Sequence, residues 1–95
     1  MSTYLVVDLD IHDPATFAAY RERVAEFVAR HGGEYLARGG ETVVHEGDFE
    51  PHRVILFRFP NGEAIRRFFA DEEYQELAKI RYSSSRTIAF SVDGV

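Results

Sequence analysis

Ninety-five residues make one domain, residues 1–95, with no room for a second core. Eight Phe, five Tyr and a hydrophobic content of 45% can fill that core, and the complete lack of Cys removes disulfides, thiolate metal sites and a Cys nucleophile. Sixteen acids against eleven bases leave a net charge of −5, which argues against nucleic-acid backbones and anionic membrane surfaces as partners.

The first run, Tyr4 to Ile11, alternates, and Leu5, Val7, Leu9 and Ile11 form one apolar strand face. Asp13-Pro14 has the chemistry of a helix start, since Asp accepts from the free N–H groups and Pro suits the first helical position. Phe17, Tyr20, Val24, Phe27 and Val28 then recur at helical spacing until Gly32-Gly33 end the helix. A helix of about 18 residues spans ~27 Å and an eight-residue strand ~26 Å, so one can lie along the other. Glu34–Arg38 and Thr42–Glu46 read as one long strand, bent or bulged at Gly39-Gly40. Arg53–Phe59 is the strongest strand of the chain, closed by Pro60-Asn61-Gly62. Asn61 caps a short helix carrying Ile65, Phe68 and Phe69, and Asp71 caps a further helical stretch in which Tyr74, Leu77 and Ala78 share a face. Ser83-Ser84-Ser85 is expected to loosen the chain before a last strand, Thr87–Val92.

The resulting order, β-α-β-β-α-β, is the ferredoxin-like α+β pattern, a four-stranded antiparallel sheet with its helices on one face. The other face should be polar if water covers it. It is not: Tyr4 and Val6 on the first strand, and Val54 and Leu56 on the third, point away from the helices. An apolar patch of that kind marks an interaction site, and a second copy packed sheet to sheet about a twofold axis is the expected partner. No run of 18 apolar residues occurs, so no membrane span is expected. Met1-Ser2-Thr3 leads straight into the first strand, unlike a signal peptide, and a cytoplasmic address is expected.

The ordered set Gly32-Gly33-Glu34-Tyr35-Leu36-Ala37-Arg38-Gly39-Gly40, Glu46-Gly47, Arg53-Val54-Ile55, Phe59-Pro60, Tyr74-Gln75 and Arg81 resembles the domain-of-unknown-function family 1330 of small bacterial proteins. The likeness runs from Tyr4 to Gly94. It implies a dimeric α/β barrel, in which two ferredoxin-like subunits pack sheet to sheet, and it carries no activity with it. Relatives by fold include cofactor-free monooxygenases, lactone isomerases, haem enzymes and ligand-sensing domains, so the fold does not choose among them. The chain departs from the family pattern at Arg58, where an acid is usual before Phe-Pro, and at Phe68-Phe69, where the aromatic pair often includes Trp.

Asp8 and Asp10 share a strand face and have the chemistry of a general base or an Arg partner, with Arg38 and Arg58 as the available cations. The four His lack ligand spacing, although His45 and His52, placed on paired strands, could approach each other. No metal and no cofactor is expected. Gly39-Gly40 matches no phosphate loop, and Ser83–Ser85 forms no nucleophile elbow. The leading functional reading is a small-molecule-binding module. Its pocket would lie between sheet and helices or inside the dimer, lined by Tyr4, Asp8, Arg38, His45, Glu46 and Arg58 among apolar neighbours. The alternative is a cofactor-free monooxygenase or isomerase acting on a small aromatic or quinone-like compound, with Asp8, His45 or Glu46 as base. A third reading is a structural dimer that binds nothing.

Overall fold

The computed structural model describes all 95 residues, Met1–Val95. Its elements are β1 (Thr3–Ile11), α1 (Pro14–Arg30), β2 (Glu34–Arg38), β3 (Arg53–Phe59), α2 (Gly62–Ala70), α3 (Glu72–Ser84) and β4 (Ser85–Asp93). The sheet order is β2-β3-β1-β4 with every neighbouring pair antiparallel. This is the ferredoxin-like α+β fold, with β1 and β3 at the centre. No helix is long and apolar enough to cross a membrane.

Local chemistry sets the helix ends. Asp13 accepts from the Thr16 N–H at 3.2 Å and the Thr16 hydroxyl at 2.7 Å, while Pro14 occupies the first turn of α1. Gly32, at φ +80°, ends that helix in the left-handed region. Asn61 accepts from the Ala64 N–H at 2.9 Å and starts α2. Asp71 stops α2 and starts α3, accepting from the Glu73 and Tyr74 N–H groups at 3.0 and 3.3 Å. Its other oxygen meets His31 at 2.8 Å and Arg30 at 3.0 Å, so one carboxylate joins the end of α1 to the start of α3. The His31 hydrogen bond, above all, holds the Asp71 pKa down at about 2.

The helices cover one sheet face. Leu5, Val7, Leu9, Ile55, Phe57 and Phe59 point toward them and meet Phe17, Tyr20, Phe27, Val28 and Phe68 in a single buried cluster. The outer face keeps Tyr4, Val6, Asp8 and Asp10 of β1 beside Val54, Leu56 and Arg58 of β3 and Ile88, Phe90 and Val92 of β4. Ile88, Phe90 and Val92 are each more than half exposed, at 55%, 57% and 56%.

Three local expectations change. Residues 40–52 form no strand, and the irregularity in β2 falls between Tyr35 and Ala37 rather than at the glycines. β3 begins only at Arg53, after Pro51, which has no N–H to give, so the segment around Thr42–Glu46 finds no strand to pair with. Gly39, at φ +68°, turns the chain off the sheet after donating its N–H to the Val54 carbonyl at 2.8 Å. His45 and His52 therefore do not face each other across a hairpin. The serine run is tight rather than loose. Ser83 and Ser84 hydroxyls donate to the Ile80 carbonyl at 3.0 and 2.6 Å, and the Ser85 hydroxyl to that of Arg81 at 2.7 Å, so helix passes directly into strand.

Candidate functional site

The inner row of β4 is Ser85, Thr87, Ala89 and Ser91, all small. Opposite Leu9 and Val7 of β1 they leave room that larger residues would have filled, and α1 does not close it. A cavity opens there between sheet and helices, with a volume of about 70 Å³ and an open mouth. Its walls are Leu5, Val7, Leu9, Ile55 and Phe57 from the sheet and Phe17, Val24, Phe68 and Phe69 from the helices.

Its polar side chains are few. Tyr20 of α1 and Tyr74 of α3 meet hydroxyl to hydroxyl at 2.7 Å, fully buried. Burial pushes the Tyr20 hydroxyl well above its ordinary pKa, and Tyr74 beside it adds to the effect, so it is a neutral donor at physiological pH. Arg81 closes α3 and is only 6% exposed. It donates to the Thr87 hydroxyl at 2.8 Å, and its guanidinium lies 4.7 Å from the Tyr82 ring centre. Burial opposes its charge, but the Tyr74 and Tyr20 oxygens outweigh that and raise its pKa. Arg53 sits opposite Leu9 at the start of β3, and its guanidinium packs on the bare backbone of Gly39, where any Cβ would overlap it. Arg38 stacks 3.6 Å above the Tyr35 ring, and Arg21 lies 5.4 Å from the Phe17 ring.

Of the six site residues expected from sequence, Arg38 alone lines this cavity. Tyr4 lies on the outer sheet face, and Arg58 opposite it binds Glu34 through Nε at 2.6 Å. His45 and Glu46 stand exposed in the segment between β2 and β3. Asp8 borders a second cavity, of about 360 Å³, on the outer face with Val6, Phe49, Val54, Ile88 and Phe90. The structure thus does not bring the six together. Tyr20, Tyr74, Arg21, Arg53 and Arg81 also line the cavity and were not among those six. Two signals were present: Arg81 falls at i+7 from Tyr74 on the apolar face of its helix, and Arg53 alternates into the row of Ile55, Phe57 and Phe59.

Asp8 finds His52 instead of an arginine, because strand register places Arg58 opposite Tyr4, four pairs from the Asp8–Val54 pair. The Asp8 carboxylate accepts from the His52 backbone N–H at 2.7 Å and from Nδ1 at 3.0 Å, and Asp10 Oδ2 lies 3.7 Å from Nε2. The Asp8 hydrogen bond raises the His52 pKa, burial opposes it, and the charges of Asp10, Asp8 and Glu50 add to it. The imidazolium therefore stabilises the fold fully below the unfolded value of ~6.5, and this contribution fades as pH rises through the higher folded value. Melting curves of the wild type and His52→Gln from about pH 5 to about pH 9 check the sign. The wild-type advantage should shrink toward the alkaline end; a constant gap would contradict it.

Solved structures share this architecture. A protein of unknown function from Rhodopseudomonas palustris superposes with a TM-score of 0.81 at 16% identity, over 99% of this chain and 82% of that one. SnoaB, a cofactor-independent oxygenase from Streptomyces nogalater, gives 0.71 at 22% identity, over 99% and 93%. A dimeric ferredoxin-like protein of unknown function from Jannaschia sp. CCS1 gives 0.68 at 12% identity, over 99% and 100%. At such identities the likeness establishes the fold alone. No curated protein matches the sequence. The profile described as Domain of unknown function (DUF1330) matches residues 2–95, essentially the whole chain, and the chain therefore belongs to the DUF1330 family.

Proposed function

We propose that this protein binds a small, largely apolar molecule in the cavity between sheet and helices, and that it does so as a homodimer joined through the outer sheet face. The observation that carries the binding reading is the cavity itself. An interior of aromatic and aliphatic walls with a few convergent polar groups is what ligand sites offer, whereas a purely structural subunit gains by filling such space. Binding is preferred to oxygenase or isomerase chemistry because no carboxylate or imidazole lines the cavity. Asp8, His45 and Glu46 all lie elsewhere, so a bound molecule faces no side chain suited to take a proton near neutral pH.

The dimer reading rests on the outer face. Val6, Leu56, Phe90 and Ile88 are contiguous by register, and a lone subunit would leave them wet. Four strands at ~4.8 Å and seven residues at ~3.3 Å give a face of roughly 450 Å² in plan, against about 800 Å² per partner in a standard interface. Phe49, which borders that face and is more than half exposed, is suited to extend it. The Jannaschia structure, described as dimeric, supports the same assembly.

Ala89, on the edge strand at the cavity wall, allows a test that spares the core. One- and two-ring aromatic compounds should raise the wild-type melting temperature by several degrees, since ligand at ~100 times its Kd adds about 2.7 kcal/mol. Ala89→Phe should fill the cavity and abolish the shift. If no compound of that class shifts the wild type, the binding reading fails and the structural dimer takes its place.

A further inference from the structure

The arginines of this chain divide into two groups. Arg23, Arg30, Arg58, Arg66 and Arg67 each have a carboxylate within ion-pair distance, as does the single lysine, Lys79. The other five do not, and four of them, Arg21, Arg38, Arg53 and Arg81, line the cavity. Sixteen acidic residues were available to neutralise them, and none borders it. Arg81 among them is only 6% exposed, and in an acidic protein four guanidiniums without a carboxylate partner around one apolar recess are what an anion would complete, because a buried charge is most stable when paired.

The remaining polar groups agree. Besides the guanidiniums, the lining holds only the phenols of Tyr20, Tyr35 and Tyr74 and the Thr87 hydroxyl. Every one of them can donate a hydrogen bond, and none is an acceptor only. In the Tyr20–Tyr74 pair one hydroxyl donates to the other, which leaves a second O–H proton to give away. Position adds a constraint. Arg53 and Thr87, the partner of Arg81, lie on either side of Leu9, two strand spacings or roughly 10 Å apart. Cationic groups thus stand on both flanks of an aromatic-walled slot.

We infer that the ligand is an apolar, ring-containing anion whose carboxylate or comparable oxyanion is held by Arg81, with Arg53 on the opposite flank and Arg38 and Arg21 at the mouth adding to the positive field. The inference rests on the binding reading above and sharpens it to a chemical class. Guanidiniums suit this task because their planar fork matches a carboxylate in two parallel hydrogen bonds, while their faces stack on the rings already present.

The matched probes are 2-naphthoate and its neutral isostere 2-naphthamide, measured by calorimetry and thermal shift on the intact protein. The acid should bind at least about tenfold more tightly than the amide, as expected of charge-assisted hydrogen bonds. Raising the ionic strength from ~0.05 to ~0.5 M should weaken the acid and leave the amide unchanged. Arg81→Gln should erase most of the preference and Arg53→Gln part of it, Arg81→Lys should restore part of what Arg81→Gln loses, and Arg66→Gln on the exposed face of α2 should retain it. Should Arg81→Gln fail to fold, Arg53→Gln, Arg38→Gln and the salt series decide the matter. Equal binding of the two probes, insensitive to salt and to these arginines, overturns the anion assignment while leaving the cavity as a ligand site. Failure of both probes to bind overturns the two readings together.

Discussion

Replacing Ile88 and Phe90 together by Asp should convert the proposed dimer into a folded monomer. Both side chains are more than half exposed in the single subunit, so their loss removes little from its own core. Across a twofold interface the pair would place four new carboxylates in an apolar contact, close to Asp8, which borders the same outer-face cavity. Unpaired charge buried among apolar groups costs several kcal/mol, so the association should weaken by at least ~1,000-fold. Sedimentation equilibrium at about 10 μM, well inside the range expected for a standard-sized interface, reads the result directly. Circular dichroism should show an unchanged fold. A wild type that sediments as a folded monomer would remove the dimer and, with it, the explanation for the greasy outer face.

Phe59→Ala should cost about 3–5 kcal/mol, a large share of the total for a domain of this size. Phe59 ends β3 with 0% of its surface exposed, and its ring stands 6.2 Å from Phe57 and 5.8 Å from Phe68. It also lies under Gly33, where an added Cβ would come within 2.6 Å of the ring. Backbone on one side and two aromatic rings on the other hold the gap open, so the neighbours cannot collapse into it. Thermal denaturation at fixed protein concentration should show a midpoint lower by roughly 15–30 °C. A loss below about 1 kcal/mol would mean that the core repacks around the vacancy, against the tight packing described here.

Much of this was legible in the sequence because it depends on short-range chemistry. Asp13-Pro14, Asn61 and Asp71 are helix starts by the preference of their side chains for free N–H groups, and each caps the helix expected of it. The alternation of Leu5, Val7 and Leu9 and of Ile55, Phe57 and Phe59 identified the helix-facing rows before any pairing was known. The outer rows of β1 and β3 were legible in the same way, and Ile88, Phe90 and Val92 extend that patch by the same alternation. Where the sequence misled, the cause was a partner it could not show. Thr42–Glu46 has strand-like composition but no strand to join, and Asp8 took His52 because register, not charge, chose its neighbour.

The candidate site was the least legible part. Arg38 could be named from its position at the end of a strand, yet Arg21, Arg53 and Arg81 come from three other elements separated by 60 residues of chain. Arg53 and Arg81 carry only the periodicity of their own elements, and nothing local distinguishes Arg21 from Arg23, Arg66 or Arg67, which have carboxylates three or four residues away on the same helix. Periodicity and capping, acting over a few residues, determined which segments became helix and strand and which rows faced inward. Only the folded arrangement decided that the small residues of β4 face the helix side of the sheet without being covered and that four guanidiniums without a carboxylate partner surround the space they leave. Pairing across the sheet is a property of distant segments, and a cavity belongs to no segment at all.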